Sequence, residues 1–349
     1  VHGLRVGHAS DVAARTGCTV VLGPFRGACH VSGLATGTRE LDVLNPNHIV
    51  DSIDALLLTG GSAYGLGAAD GVVAWLRERG LGFATPAAAV PIVPAAVIYD
   101  LGVGRADRWP DAAMARTACD AASVAPVSEG QVGAGTGATV GKLLGPERAA
   151  RGGLGSAIAE GVGEGAAMVA ALAVVNALGD VTDGRGGILA GPRLDDGTMA
   201  ASVELIHRLG SAAFAGSVPP SNTTLAIVAT DAPLGRTALV ALARMAATAM
   251  ARRIVPVHTP FEIRGVQAGK QSYASSKVTL RTMTLLALST IRVRLCSRAP
   301  RRPLRCARTA SSRWRRTGPR LPRRSAPTRQ TGRRRLRRAV RGALPANDT

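Results

Sequence analysis

Short apolar runs bounded by glycine or polar residues recur along the chain and predict buried strands. They cover residues 18–22, 55–58, 166–176 and 225–230. Runs of this length with such flanks are typical of strands inside a layered core. The alanine-rich run at 166–176 is equally compatible with a helix, because a short apolar run has no distinctive period.

Two longer segments, 65–78 and 236–253, repeat apolar residues at helical spacing and predict amphipathic helices. Their apolar faces consist of Leu66, Ala69, Val73 and Leu76, and of Leu239, Leu242, Met245, Ala249 and Met250. The segments 143–165 and 179–198 are rich in Gly, Asp and Arg and predict surface loops. With 46% hydrophobic but only 3% aromatic residues, the chain favours an α/β or α+β build with a core of small aliphatic side chains.

The positive charge of the chain is concentrated near its C-terminal end. The formal net charge is +20, but residues 291–349 contain 20 Arg and a single acid, Asp348. Residues 1–290 therefore carry 23 basic and 22 acidic side chains, a balance of +1. Almost all of the net positive charge therefore lies in a C-terminal tail, and the rest of the chain is nearly neutral.

This tail, residues 291–349, is predicted to be disordered, because Arg, Pro, Ser and Thr dominate it without a hydrophobic period. Three interpretations are open: an arm that binds RNA or DNA, a solvated linker, or the out-of-frame translation of a GC-rich gene. Sites for single-stranded nucleic acid usually interleave aromatic side chains for stacking, and the tail has only Trp314. Any nucleic-acid binding by it would be sequence-independent and strongly salt-dependent.

The cysteines favour a reducing, cytoplasmic setting. Their number is odd, and none forms a CxxC pair or has a histidine at zinc-ligand spacing. Residues 1–22 lack the layout of a signal peptide, and the longest apolar run, 166–175, is shorter than a membrane span. We therefore expect a soluble protein with no membrane partner.

Two glycine-rich segments approach known catalytic motifs without meeting them. The segment 133–142 has Thr136 where a Walker phosphate loop needs glycine, and it is followed by Leu143 where that loop needs a hydroxyl for magnesium. Around Ser62, Tyr64 replaces the glycine of a nucleophile elbow. Tight turns and the close approach of backbone segments explain most of these glycines better than a catalytic motif does.

A hydroxyl residue at the entry of the apolar run 225–230 offers a sharper chemistry. Taken alone, Asn222 and Thr223 predict a polar strand entry with an asparagine turn residue. A Thr hydroxyl held against its own preceding carbonyl can also attack it, and hydrolysis of the resulting ester exposes a free α-amine. That amine, whose usual pKa is about 7.7–8.0, can then act as the base for the same hydroxyl.

Ten blocks of sequence, in consistent order over roughly three quarters of the chain, resemble the L-aminopeptidase/D-esterase family, which includes the β-aminopeptidases and the nylon-oligomer hydrolase. The blocks are GLRVGH (3–8), RTGCTVVL (15–22), GTRE (37–40), LTGGSAYG (58–65), VPIVPAAV (90–97), GAGTGATVGK (133–142), GGLGS (152–156), VNALGD (175–180), NTT (222–224) and HTPF (258–261). So many blocks in register make the resemblance specific.

The resemblance implies an α+β fold, a four-layer αββα sandwich similar to N-terminal-nucleophile hydrolases but with different strand connectivity. It also implies self-cleavage into a large chain, residues 1–222, and a small chain, residues 223–290, that stay associated. Assembly of several such units into a homo-oligomer is expected as well. The implied chemistry needs no metal or organic cofactor.

The same resemblance assigns roles to individual residues. The scissile bond joins Asn222 to Thr223, and Thr223 is the nucleophile. Asn176 matches the asparagine that binds the oxyanion, Lys142 a lysine near the nucleophile in the nylon-hydrolase branch, and Tyr99 a tyrosine of the substrate pocket. Without the family, Lys142 is interpreted as a surface cation after a glycine turn and Asn176 as a capping residue at a strand end.

The chain departs from the family after the HTPF block. The family usually continues with two acids, two positions apart, that hold the amine and the hydroxyl of the nucleophile. These positions are Glu262 and Arg264 here, so Glu262 can keep the first role while Arg264 reverses the charge at the second. The family's last strand and final helix are not recognisable, although residues 278–291 are apolar enough to pack, and His258 is expected to be structural.

Two functions follow as hypotheses. The first is a self-cleaving serine/threonine-type aminopeptidase or amidohydrolase that acts on short peptides, amides or esters through an N-terminal Thr. The alternative is a catalytically degenerate oligomeric member whose basic tail binds nucleic acid or other polyanions. The tail and Arg264 favour the alternative, and the ordered blocks that include Thr223 favour the first.

Overall fold

The computed structural model describes residues 4–32, 36–163, 166–210, 212, 222–257 and 283–290, the last segment as backbone only. The strands in these residues are β1 (Arg5–Asp11), β2 (Thr16–Ser32), β3 (Thr38–Arg39), β4 (Ile53–Thr59), β5 (Phe83–Ala84), β6 (Ala89–Val90), β7 (Ala95–Val97), β8 (Thr139–Val140), β9 (Ala150–Arg151), β10 (Gly153–Glu160), β11 (Met168–Asn176), β12 (Asp180–Thr182), β13 (Ile188–Ala190), β14 (Thr223–Thr230), β15 (Ile254–Val255) and β16 (Met283–Thr290). The α-helices are α1 (Ser62–Gly65), α2 (Ala69–Glu78), α3 (Ala112–Asp120), α4 (Ser202–Leu209) and α5 (Arg236–Met250).

Nine strands of the described residues form one sheet, in which eight follow the hydrogen-bonded path β10-β11-β14-β16-β2-β4-β7-β3 and β1 pairs with β2 beside that path. The long strand β2 joins two parts of this path. Its first half pairs with β1 and β4, and its second half pairs with β16. The register between β2 and β4 shifts between Leu22 and Phe25, and an irregularity of this kind bends a strand.

The alternation of side chains along the strands divides the molecule into four layers. Leu56 and Leu58 of β4 lie in one buried cluster with Leu172 of β11 and with Leu225 and Ile227 of β14. Successive residues of a strand point to opposite faces, so the two parts of the sheet path pack against each other through this inner core.

The outer faces of both sheet parts are covered by helices. Leu57 of β4 is buried with Val72 of α2 and Ala118 of α3. On the other side, Ala226 of β14 is buried with Leu239 of α5. The layers are thus helices, sheet, sheet and helix, which is the predicted αββα arrangement.

The structure confirms the four predicted strands and both predicted helices. The alanine-rich run at 166–176 is strand β11 and not a helix, because it pairs along its length with β10 and β14. In α5 the predicted buried face is partly wrong. Leu239 is buried, but Met245 is 69% exposed. Ala243, which was not part of the predicted face, is buried instead.

The two predicted loop segments contain strands, so this prediction is wrong. Segment 143–165 includes β9 and β10, and segment 179–198 includes β12 and β13. Strand β10 lies at the end of the sheet path, and residues 156–160 are exposed. Its hydrogen-bonded ladder with β11 holds it there, and a ladder of backbone groups needs no apolar pattern.

The apolar stretch near residue 285 forms β16, which lies between β14 and β2, parallel to the former and antiparallel to the latter. The proposed tail, 291–349, lies outside the described residues. No helix in the described part of the chain is long and apolar enough to cross a membrane. The cytoplasmic setting stays a prediction.

Candidate active site

Asn176 and Thr223 face each other at one end of the inner core. Asn176 is the last residue of β11 and Thr223 the first of β14, and the antiparallel register pairs them directly. Asn176 follows the core residue Val174 of β11 by two positions, and Thr223 precedes the core residue Leu225 of β14 by two positions. Because alternate residues share a face, the two side chains point toward the space between the sheets, where directly opposed side chains are within reach of each other.

The amide of Asn176 is fully buried and held on both sides. Its Oδ1 accepts hydrogen bonds from the backbone N–H of Thr139, at 3.0 Å, and from the Lys142 ammonium, at 2.7 Å. Its Nδ2 donates to the backbone carbonyl of Tyr99, at 3.1 Å. These partners fix the orientation of the amide. If it were flipped by 180°, its NH₂ group would face the Thr139 N–H and the Lys142 ammonium, which are both donors. The donor side of Asn176 therefore has a fixed direction.

Lys142 is only 7% exposed, so it is not the surface cation that its position after a glycine suggests. Its Nζ donates to Oδ1 of Asn176 and, at 3.3 Å, to the backbone carbonyl of the same residue. Gly141 directs the chain into this position with φ of 67°, and a Cβ there would collide with the backbone of Gly191 and Pro192. Only glycine fits such a left-handed, crowded position, so the glycine in GAGTGATVGK serves to bring the ammonium inward.

Asp100 is a buried carboxylate behind the site that was not predicted from the sequence. It is 2% exposed, and it accepts hydrogen bonds from the Gly61 N–H, at 2.7 Å, and from the Thr16 hydroxyl, at 2.8 Å. Burial raises the pKa of Asp100, while these two hydrogen bonds and the charge of Lys142 act in the opposite direction. Its position directly after Tyr99 was the only sign in the sequence that Asp100 belongs near the site. Its hydrogen-bond partners, Thr16 and Gly61, are distant in the sequence.

A small cleft opens beside these groups. It is lined by Tyr99, Gly102, Val103, Thr139, Lys142, Pro146, Leu178 and Asn222. Asn222, the residue before Thr223, is 5% exposed, and its Oδ1 has no hydrogen-bond partner among the described residues. The residue preceding the predicted nucleophile is thus packed into the wall of the cleft.

The structure brings Tyr99, Lys142 and Asn176 together with the consecutive residues Asn222 and Thr223, from separate parts of the sequence. The predicted Glu262 lies outside the described residues, as do His258 and Arg264. Thr139 and Leu178 contribute to the site without having been predicted, one through its backbone N–H and the other as part of the cleft wall.

The sequence profile of peptidase family S58 matches residues 1–262. The chain belongs to this family. It is also similar to an uncharacterised aminopeptidase of Mycobacterium bovis, with 42% identity over 277 residues that cover 75% of this chain and 77% of the relative. A 6-aminohexanoate-oligomer endohydrolase of Kocuria sp. is 32% identical over 266 residues, which cover 74% of this chain and 70% of that protein.

Among solved structures, the chain is similar to the L-aminopeptidase D-Ala-esterase/amidase of Ochrobactrum anthropi, described as a prototype of the serine aminopeptidases and a variant of the Ntn hydrolase fold. The TM-score is 0.56 at 18% identity, with 83% of this chain and 72% of that chain covered. This similarity concerns the fold alone, and it confirms the predicted fold, a sandwich resembling that of N-terminal-nucleophile hydrolases. Family membership identifies the chain as a hydrolase of peptide or amide bonds.

Proposed function

We propose that the chain cleaves itself between Asn222 and Thr223 and then hydrolyses short peptides, amides or esters through Thr223. The observation that carries this proposal is the pairing of Thr223 with Asn176, whose amide is itself tied to Lys142 and Tyr99. A hydroxyl opposite a rigidly held amide donor is the arrangement that acyl transfer needs, since the donor stabilises charge on the attacked carbonyl oxygen.

Self-cleavage proceeds through an ester. The Thr223 hydroxyl oxygen attacks the carbonyl carbon of Asn222, the new C–O bond replaces the C–N bond, and the hydroxyl proton passes to the released amine. Water then hydrolyses the ester, which leaves a carboxylate on Asn222 and a free hydroxyl and amine on Thr223. In turnover, the amine takes the hydroxyl proton while the oxygen attacks the substrate, and it returns the proton to the leaving group.

The surrounding residues support these steps in different ways. Asn176 donates to the developing oxyanion, and Lys142 holds the Asn176 amide while its positive charge favours the neutral form of a nearby amine. Tyr99 forms part of the substrate cleft. Only the family pattern supports the role of Glu262, which is to hold the amine of Thr223.

The test is the state of the purified chain. Denaturing electrophoresis and N-terminal sequencing should find two chains, the smaller beginning at Thr223. Thr223→Ala should abolish both cleavage and amide hydrolysis, while the matched control Thr223→Ser, which keeps a hydroxyl, should retain both. An intact parent chain that also lacks amidase activity would contradict the proposal.

The boundary between large and small chains at residues 222 and 223, and assembly into a homo-oligomer, belong to the same proposal. The polyanion-binding alternative rests on Arg264 and the tail, both outside the described residues, and it stays a prediction. An intact, inactive chain that binds polyanions would favour it.

A further inference from the structure

We infer that Asp100 is a positioning residue for the reaction: its carboxylate fixes the peptide unit that holds the Asn176 amide, and thereby the direction of the oxyanion donor. This inference rests on the proposed function of Thr223 and adds a residue to it. Asp100 is not part of the described cleft wall, so it acts through Asn176 and not on the substrate.

The link between the two residues is a single peptide unit. The carbonyl of Tyr99 and the N–H of Asp100 belong to one planar group, so neither can turn without the other. The carbonyl end of this unit accepts the hydrogen bond from Nδ2 of Asn176, at 3.1 Å. Nδ2 carries the NH₂ group that is the proposed oxyanion donor. The orientation of the peptide unit between Tyr99 and Asp100 therefore sets where this donor points.

The other side of that peptide unit is fixed by the carboxylate of Asp100. Oδ1 accepts a hydrogen bond from the Gly61 N–H, at 2.7 Å, just after β4, and Oδ2 accepts one from the Thr16 hydroxyl, at 2.8 Å, at the start of β2. The carbonyl of Asp100 accepts a third from the Val103 N–H, at 3.0 Å. With its side chain held by two strand ends and its carbonyl held by a turn, Asp100 has little freedom to rotate.

Glycines of two sequence blocks make room for this carboxylate. A Cβ at Gly60 would lie 2.1 Å from Oδ2 of Asp100, and a Cβ at Gly137 would lie 2.7 Å from its Cβ. Distances this short are sterically impossible, so only glycine leaves the space that the carboxylate fills. Gly60 and Gly137 belong to the LTGGSAYG and GAGTGATVGK blocks, which approach catalytic motifs without meeting them. Packing against Asp100 explains these two glycines.

A carboxylate is not the group that would best stabilise the fold at this position. Burial raises the pKa of Asp100, which means that its charged form is destabilised in the folded chain. An apolar side chain of similar size avoids that penalty. Perturbed, buried acids beside a cleft are typical of functional sites. The hydrogen bond from Asn176 to the adjoining carbonyl indicates which function this acid serves.

The least disruptive test removes one hydrogen bond to the carboxylate. Thr16→Val has nearly the same shape as the parent side chain but lacks the donor, whereas Thr16→Ser keeps the donor. Thr16→Val should lower kcat about tenfold or more, with a smaller change in KM, because the oxyanion donor is misaligned while the cleft still binds substrate. Thr16→Ser should retain the kcat of the parent. The substrate is the amino acid p-nitroanilide that the processed parent hydrolyses fastest. An unchanged kcat in Thr16→Val, or a loss confined to KM, would overturn the inference.

A double-mutant cycle separates positioning from a general effect on the fold. Asp100→Ala should lower the rate constant of self-cleavage about 100-fold, measured by electrophoresis over time. Added to Asn176→Ala, it should cause little further loss, since no amide remains to be positioned. If Asp100→Ala does not melt cooperatively, Thr16→Val takes its place in the cycle. Losses that multiply, with the same factor in both backgrounds, would show that the carboxylate supports the fold and not the donor.

Asp54→Ala is the matched control. The Asp54 carboxylate is also partly buried and accepts a hydrogen bond from a backbone N–H, that of Ile92, at 2.9 Å, but it lies at the opposite end of β4 from Gly61. This variant should leave kcat unchanged. A parent chain that neither cleaves itself nor hydrolyses amides would contradict the proposed function. A parent that does both, at rates that Thr16→Val and Asp100→Ala retain, would remove only the role of Asp100.

Discussion

At the scale of single residues, Asn176 is the common hydrogen-bond partner of the groups around it. Its amide links the strand end, the Lys142 ammonium and the Tyr99 carbonyl in one buried arrangement. The resemblance to the family assigned Asn176, Lys142 and Tyr99, and the structure places all three together. Burial of Lys142 could not be read from the residues alone, because it depends on contacts across some 34 positions of sequence.

Removal of the Asn176 amide should impair both chemical steps. We expect Asn176→Ala to lower the rate constant of self-cleavage, and kcat of any processed material, by about 100- to 1,000-fold, since one oxyanion donor is lost. Quantitative electrophoresis and steady-state kinetics on an amide substrate would measure this. Asn47→Ala, an exposed asparagine away from the site, is the control. A loss below about tenfold in Asn176→Ala would remove Asn176 from the chemistry.

Asp100 gives a prediction for stability against pH. Burial raises its pKa in the folded chain, so its favourable contribution is complete below the unfolded pKa of about 3.9 and is lost as the pH rises through the raised folded value. Asp100→Asn cannot ionise and does not suffer this loss. The melting temperature of the variant minus that of the parent should therefore be larger at pH 7 than at pH 4.

Glu78 supplies a control of opposite sign for this measurement. Its hydrogen bond with Arg116 lowers the pKa of Glu78, so its contribution to stability is present above the unfolded pKa and is lost as the pH falls through the folded one. The melting temperature of Glu78→Gln minus that of the parent should be lower at pH 7 than at pH 4, by a small amount because the pair is exposed to solvent. A difference for Asp100→Asn that does not change with pH would show that its carboxylate is not destabilised by burial.

At the scale of elements, side-chain alternation positions the site. Strands β11 and β14 direct alternate residues into the inner core, and the same period brings Asn176 and Thr223 to its end. The sequence pattern was sufficient to predict β4, β14 and α5, although only part of the predicted apolar face of α5 is buried. It failed for β10, β12 and β13, because backbone pairing with other strands holds these elements in place and their side chains carry little apolar period.

Core and edge strands should differ in their response to side-chain truncation. Leu57 of β4 is fully buried between the sheet and helices α2 and α3, so Leu57→Ala should lower the free energy of unfolding by about 2–5 kcal/mol. Ile158 of the edge strand β10 is 65% exposed, and Ile158→Ala should change it by about 0.5 kcal/mol or less. Denaturant titration measures both values. Similar losses in the two variants would contradict the layer assignment.

At the scale of the whole molecule, the described site and the excess positive charge lie in different parts of the chain. Residues 1–290 are balanced at +1, and the described site lies entirely within them, whereas residues 291–349 carry +19. The sequence alone reveals this division, since it needs only a count. The three interpretations of the tail stay open, because composition does not decide between a functional arm and a shifted reading frame.

Truncation after Thr290 should separate polyanion binding from hydrolysis. We expect the shortened chain to keep self-cleavage and amidase activity, and to lose retention on immobilised heparin that the full chain shows at low salt. Retention of the full chain should fall steeply as salt rises, because release of counterions drives such binding. Heparin binding that persists in the shortened chain would place the polyanion site in the body.

The proposed function depends most directly on one covalent bond, between Asn222 and Thr223. Intact mass spectrometry of freshly purified, folded protein should find two fragments whose masses sum to that of the chain plus one water, with the C-terminal fragment beginning at Thr223. The Thr223→Ala variant should give a single mass. A parent chain found whole, in material that melts cooperatively, would contradict the proposed function.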